Sequence, residues 1–416
     1  MSLTSTWNCY DSIAHISDEL RALRVSPVDL VAASLRQIER LQPELNAFIT
    51  VAADSATQAA ATAEREIKQG KWRGPLHGVP VAVKDFYDTA GIRTTAGFEP
   101  FKHRIPGRDA AAVARLKDAG AIILGKTNMH TLGMGTTGLE SAFGPVKNPW
   151  NADFIAGGSS SGSAAAIASG LCWATLDTDA IGSCRLPAAC CGVVGFKGTY
   201  SLIDMSGILE GEQPPGDDII WLSHAAITAR TVKDAALVLD ALAERDGGAR
   251  ATSFADGLDH DADLRIGIAD NLDPDPEVAE AFAQAAATIR GLGHRVSAAA
   301  APSVDLGGGV GGIAADRRTV ADRHFRDIDL IVLPTNPQAT PRVETARANP
   351  LALPPDYTMF ANYFGLPAIS VPCGFDRRGL PLGLQIVGRP GEDASVLWMA
   401  HRYQCASGFI DRRPSV

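Results

Sequence analysis

The sequence predicts an α/β protein with a central mixed β-sheet covered by helices on both faces. Helix-patterned segments alternate with short apolar runs along the chain, the pattern of a covered, largely parallel or mixed sheet. No Pro- or Ser-rich linker separates them and no internal repeat appears, so residues 1–416 read as one domain. Hydrophobic residues make up 46% of the chain, enough to fill a large core and too many for disorder.

The elements follow in order. In "SPVDLVAASLRQIERL" Ser26 is placed to cap a helix, with Pro27 at its first position and apolar residues at helical spacing. An alanine- and charge-rich helix covers Ala53 to Gln69. "GVPVAVK" is a short buried strand ending at Lys84. "DAAAVARLKDAG" is a helix, and the strand "AIILGKTN" follows it. "AAAIASG" is helical and "WATLDTD" extended. "VKDAALVLDALAE" is a helix, "LRIGIAD" a strand and "PEVAEAFAQAAATIRGLG" a helix. "IDLIVLPT", "PAISVPC" and "GLQIVG" are strands, and "ASVLWMAHRYQCA" is a closing helix. The glycine-rich stretch "SVDLGGGVGGIAAD", from Ser303, reads as a mobile loop.

Composition narrows the function. The net charge of -9 and the lack of a strongly basic stretch make nucleic acid a poor default partner. The N-terminus shows no basic region followed by an apolar core, and no apolar run approaches membrane-span length, so neither a secretory signal nor a membrane partner is expected. Seven cysteines without CxxC spacing read as reduced thiols in a cytoplasmic protein, and adjacent Cys190 and Cys191 are badly placed for a local disulfide. HExxH is absent, and Cys184, Cys190 and Cys191 lack paired ligands at suitable spacing. No metal and no cofactor are expected.

The stretch "AGGSSSGSAAAIASG", Ala156 to Gly170, admits three readings: a flexible linker, a phosphate-cradling loop, or the seat of a catalytic serine. It runs directly into a helix with no new domain after it, which weakens the linker. Glycines at a helix start offer free N–H groups and a favourable dipole. A P-loop, however, needs a lysine at the helix start, and there is none. "GSSSG" formally matches GxSxG with Ser160 at its centre, the nucleophile elbow of an α/β-hydrolase. That match is unspecific in a Ser/Gly-rich loop, and none of the downstream histidines, His294, His324 and His401, has a context that marks it.

A second serine lies in "LDTDAIGSCRLPAACCGVVGFKGTY", where Ser183 follows a glycine and precedes Cys184-Arg185. With "GPLHGVPVAVKDFYDTAGIRTTAG", "AGAIILGKTNMH", "SAFGPVKNPWN", "GGSSSGSAAAIASG" and "GLPAISVPCGFDRRGLPLGLQIVGRP", this block resembles the amidase signature family in order and spacing over nearly the whole chain. The resemblance implies the amidase signature fold, with a catalytic core at about 74–240 and C-terminal strands and closing helix at about 325–410. It implies an amidohydrolase that cleaves a carboxamide through an acyl-enzyme, with a Ser–cisSer–Lys triad. Matched by motif, Ser183 is the nucleophile, Ser159 the bridging serine of the cis peptide and Lys84 the base. Lysine serves as a base only when burial disfavours its ammonium form, and Lys84 ends an apolar run.

The resemblance further implies an oxyanion hole from the backbone N–H groups of Ala180, Ile181, Gly182 and Ser183. It implies a substrate contact through the Gly133 carbonyl, a pocket wall at Thr136 and Thr137, and Ser160 beside the site. Asp179 and Arg185 read as a structural ion pair flanking the nucleophile loop, and His130 as structural. Three positions depart from the family pattern. Ile181 replaces the first of two glycines and would be strained if the position needs positive φ. Asp177 stands where glycine is common, and Gly198 where proline is. The expected partner is a small-molecule amide, with a possible homodimer. Two alternatives stand beside this reading: the glutaminase subunit of a tRNA-dependent amidotransferase, which "SAFGPVKNPW" resembles, and a weakly active or non-catalytic member because of Ile181. Arg317 and Arg318 are candidates to anchor a substrate carboxylate, against a plainer reading as solvated arginines. The "GGGVGGIAADRRTVADRHF" region looks shorter than in many members, which would leave the pocket open or the substrate small.

Overall fold

The computed structural model describes residues 10–244 and 253–415; Cys9 and the first residues of the N-terminal segment lie outside the described residues. The strands are β1 (Phe48–Val51), β2 (Pro80–Lys84), β3 (Ile122–Thr127), β4 (Ala174–Asp179), β5 (Val194–Lys197), β6 (His224–Ala229), β7 (Arg265–Ala269), β8 (Arg295–Ala299), β9 (Leu330–Pro334), β10 (Ala368–Phe375) and β11 (Pro381–Gly388). They form one 11-stranded sheet in the order β1-β3-β2-β4-β6-β5-β10-β11-β9-β7-β8. Two parallel groups, β3-β2-β4 and β9-β7-β8, are joined by antiparallel strands, so the sheet is mixed as expected.

The strands of the parallel groups are mostly buried on both faces, which explains their unbroken apolar runs. Val81, Val83, Leu176 and Ile227 face one layer, with the helix Val232–Leu242 and the closing helix Asp393–Ser407. Ala82, Ile122 and Leu124 face the other, where the helices Pro27–Leu45, Ala53–Lys68 and Ser161–Ala168 pack. Ser26 caps its helix as expected, its hydroxyl accepting from Val28 N–H at 3.0 Å.

Two expectations need amendment. The glycine-rich stretch from Ser303 is a loop only at its start. A 3-10 turn at Leu306–Gly308 leads into the helix Gly309–His324. Ile313 and Val320, seven residues apart, are buried in a cluster with Phe360 and Tyr363, and this packing overrides the poor helix propensity of its glycines. Strands β5 and β6 were invisible because "VGFK" and "HAAITA" are short and wholly buried, so no alternation marks them.

Candidate active site

Lys84 closes β2 with its side chain fully buried. Register places it beside Thr127 of β3. Its Nζ donates to Ser159 Oγ at 2.8 Å and to Thr178 Oγ1 at 2.9 Å, and lies 5.9 Å from the centre of the Phe86 ring. Burial pushes the ammonium pKa down from 10.5 to about 8, against the opposing charges of Asp177 and Asp179. A substantial neutral fraction is therefore present at mildly alkaline pH.

The serine loop is tied down on every side. The Gly158–Ser159 peptide is cis. Ser159 is 1% exposed, and its carbonyl accepts from His130 N–H at 3.0 Å. Ser160 N–H donates to the Ser183 carbonyl at 3.0 Å, and Ser160 Oγ to the Thr178 carbonyl at 3.4 Å. The helix Ser161–Ala168 then runs with all eight residues buried. Small residues are required for so close an approach. A Cβ on Gly158 would sit 2.7 Å from Gly138 N. Lys84, Ser159, Ser160 and the Ser183 backbone are thus brought together. His294, His324 and His401 pack instead against Trp398, Phe364 and Cys405, away from the serine loop.

Ser183 is 4% exposed, between the end of β4 and the helix Arg185–Cys191. The loop before it is folded around the Asp179 carboxylate. Oδ1 accepts from Gly182 N–H at 2.8 Å and Oδ2 from Cys184 N–H at 3.1 Å. This amends the expected set of oxyanion donors: the Gly182 amide is already engaged. Among the described residues the Ala180, Ile181 and Ser183 amides have no acceptor. The strain expected at Ile181 is also absent. The positive φ falls on Gly182, at 127°, where a Cβ would lie 2.3 Å from Thr358 Oγ1. The Ile181 carbonyl is held by the Thr358 hydroxyl at 2.5 Å.

Asp179 and Arg185 form the expected ion pair, with both side chains wholly buried and Nη2–Oδ1 at 2.9 Å. Burial alone would raise the Asp179 pKa; Arg185, with Asn362, outweighs it and holds the carboxyl well below the usual carboxylate range. Arg185 also donates to the Thr358 carbonyl, to Gln385 and to Asn362. Its fork therefore pins the Ser183 loop to β11 and to the helix Met359–Tyr363. Sequence reasoning missed Thr178, Thr358, Asn362 and Gln385. Gln385 did leave a signal, as a lone polar residue in the apolar run "GLQIVG".

The remaining candidates are spread around the rim. Gly133 has φ 72°, and a Cβ there would meet Ser159 Oγ at 3.7 Å, so its backbone faces Ser159. The Thr136 hydroxyl donates to the Leu353 carbonyl at 2.6 Å, tying two loops together, and Thr137 Oγ1 accepts from Leu139 N–H at 3.5 Å. Arg317 is no solvated arginine. It stacks on Tyr200, 4.1 Å from the ring centre, and donates to the carbonyls of Trp221, Asn362 and Tyr363. Arg318 is exposed. His130 is buried beside Glu140, consistent with a structural role. No group of three or more His, Cys, Asp or Glu side chains suited to a metal occurs among the described residues.

A buried lysine is bonded to a serine of a cis peptide, beside a second serine on a carboxylate-braced loop. The amidase family profile matches residues 29–307 and 314–397, and the chain belongs to this family, the amidase signature enzymes. It is an amidase-family C–N hydrolase. It is 32% identical to a glutamyl-tRNA(Gln) amidotransferase subunit of Geobacter metallireducens, over 97% of this chain and 99% of that one. The corresponding subunit of Lachnospira eligens is 31% identical, over 95% and 98%. Among solved structures, 6-aminohexanoate cyclic dimer hydrolase superposes with a TM-score of 0.85 at 26% identity, over 98% and 99% of the two chains. Peptide amidase from Stenotrophomonas maltophilia gives 0.83 at 27%, over 97% and 98%. The Geobacter alignment spans 489 positions, more than this chain's 416 residues, so that relative carries residues this chain lacks. The family match breaks between 307 and 314, at the glycine-rich start of the helix Gly309–His324.

Proposed function

We propose that the chain is an amidohydrolase working through a Ser183–Ser159–Lys84 relay. The observation that carries this is the Lys84 Nζ–Ser159 Oγ hydrogen bond, made by a lysine whose pKa burial has lowered to about 8. Neutral Lys84 takes the Ser159 proton as Ser159 takes that of Ser183, and Ser183 Oγ bonds to the amide carbon. The oxyanion is held by the amides of Ala180, Ile181 and Ser183. The C–N bond then breaks, the relay proton passes to the leaving nitrogen, and water hydrolyses the ester on Ser183 to a carboxylate. Substrate lies along Gly133, Thr136, Thr137 and Ser160, with Ile181 narrowing the approach. The six cysteines of the described residues are free thiols, which fits a cytoplasmic enzyme.

The test is fluorophosphonate labelling followed by peptide mass mapping. Ser183 Oγ displaces fluoride from phosphorus, and the relay takes the proton. An adduct on Ser183 supports the reading; an adduct on Ser160 overturns it. Gly182→Ala is expected to slow Ser183 labelling by about 10²-fold while the far-ultraviolet circular dichroism is unchanged, because the new Cβ displaces a loop carrying the oxyanion donors. Labelling at the wild-type rate would remove that loop from the chemistry.

A second reading, a glutaminase that feeds partner subunits, is favoured by the identity to the two amidotransferase subunits. Ammonia release from glutamine, greatly stimulated by added partner subunits, supports it. Turnover of other small amides by the chain alone supports the free-standing amidase.

A further inference from the structure

One buried carboxylate beside the relay has no part in the mechanism above. Asp177 lies on β4, and the pairing of Val83 with Leu176 puts it level with Lys84, on the same face of the sheet. It is wholly buried and makes no salt bridge among the described residues. Three hydroxyls hold it instead. Ser163 donates to Oδ1 at 2.6 Å; Thr175 and Thr228 donate to Oδ2 at 2.6 and 2.7 Å. Ser163 also meets Thr127 Oγ1 at 2.7 Å, and Thr127 is the β3 neighbour of Lys84. Lys84 is therefore flanked on its sheet face by Thr127 and Asp177, with Ser163 spanning the two.

We infer that Asp177 is a positioning residue for the relay: its carboxylate, fixed by three hydroxyls level with Lys84, supplies the counter-charge that sets how firmly the lysine holds the relay proton. Three donors aimed at the carboxylate favour its charged form. Burial opposes that form and raises the Asp177 pKa, and the facing Lys84 offsets this. The other charged groups nearby are spoken for. Asp179 is taken by Arg185, and Lys126 of β3 is held by the Tyr87 carbonyl, Thr89 and Thr94. Asp85 is bound through Oδ2 by Thr95. From β2 onward, the Tyr87 hydroxyl donates to the Asp177 carbonyl at 2.7 Å rather than to its carboxylate. From β6, His224 Nδ1 is paired with the Leu222 carbonyl. The Cys184 thiol, whose pKa burial raises well above its usual value, stays neutral against Thr228. The helix Ser161–Ala168 brings no charge at all.

This inference rests on Lys84 being the base, and one experiment separates the two. It measures the rate of fluorophosphonate labelling of Ser183 against pH in wild type, Asp177→Asn and Lys84→Met, so no substrate need be known. Asparagine suits the site. Its oxygen accepts from Thr175 and Thr228, and its NH2 donates to Ser163, which is free to donate onward to Thr127. Without the negative charge Lys84 deprotonates more readily, so the labelling midpoint is expected to fall by about one pH unit or more. Thr228→Val, which keeps the carboxylate but removes one donor, should move it the same way by less, and it carries the test if Asp177→Asn does not fold. A midpoint unchanged or raised, with Lys84→Met inactive, overturns the role of Asp177 and leaves the relay standing. Wild-type labelling in Lys84→Met overturns both.

Discussion

Lys84→Met is expected to slow fluorophosphonate labelling of Ser183 by about 10²-fold or more, the usual contribution of a general base. The direction with pH follows from the lysine itself. Burial places its pKa at about 8, below 10.5, and only the neutral amine accepts a proton. Wild-type labelling should therefore rise as pH passes through about 8 and level off above it. Lys84→Met should show no such rise. Methionine is close in length and apolar, so it occupies the buried position that the lysine stem fills. Asp177 then loses its facing charge, which leaves burial less opposed in raising its pKa. The two hydroxyls that Nζ bridged, Ser159 and Thr178, lose one partner each. A labelling rate that still climbed through about pH 8 in the variant would mean that another group is the base.

How much of this was written in the chain depends on the range of the interactions. Lys84, Ser159 and Ser183 lie in blocks that resemble the amidase signature family in order and spacing, and local rules placed the strand before Lys84 and the helix after Ser160. The route of the sheet was less legible. β5 and β6 are short, wholly buried runs in which no alternation of apolar and polar residues appears, and the helix at Gly309–His324 forms because Ile313 and Val320 find a hydrophobic cluster contributed from elsewhere. The expectation about Ile181 shows the same limit at the site. A β-branched residue in place of glycine suggested strain, but the loop takes its left-handed φ one residue later, at Gly182, and leaves Ile181 in ordinary backbone space. The family resemblance implies the Gly182 amide as an oxyanion donor. Only the fold of the loop around Asp179 turns it away. Arg185 could be paired with Asp179 from proximity alone, whereas Asn362 and Gln385 reach it from 177 and 200 residues away.

Asp179→Asn is expected to cost about 3–5 kcal/mol of stability, the range for removing one partner of a buried ion pair. The donors around the carboxylate explain why a substitution of equal shape is so damaging. It accepts from the Gly182, Cys184 and Arg185 main-chain amides, from two guanidinium nitrogens and from Asn362. An amide offers one oxygen to these donors and turns an NH2 towards the rest. Arg185, whose Nε, Nη1 and Nη2 are all engaged, is left buried beside it without a counter-charge. Urea denaturation of wild type, Asp179→Asn, Arg185→Met and the double variant measures the coupling, and the double variant should be more stable than Asp179→Asn alone because no unpaired charge remains. Labelling distinguishes what the pair does for the chemistry. The two variants that lose the Asp179 carboxylate release the Gly182 turn, so their Ser183 labelling should stay slow even where stability returns. If the double variant recovered both, the pair would serve only the fold, and the donors of the loop would owe nothing to Asp179.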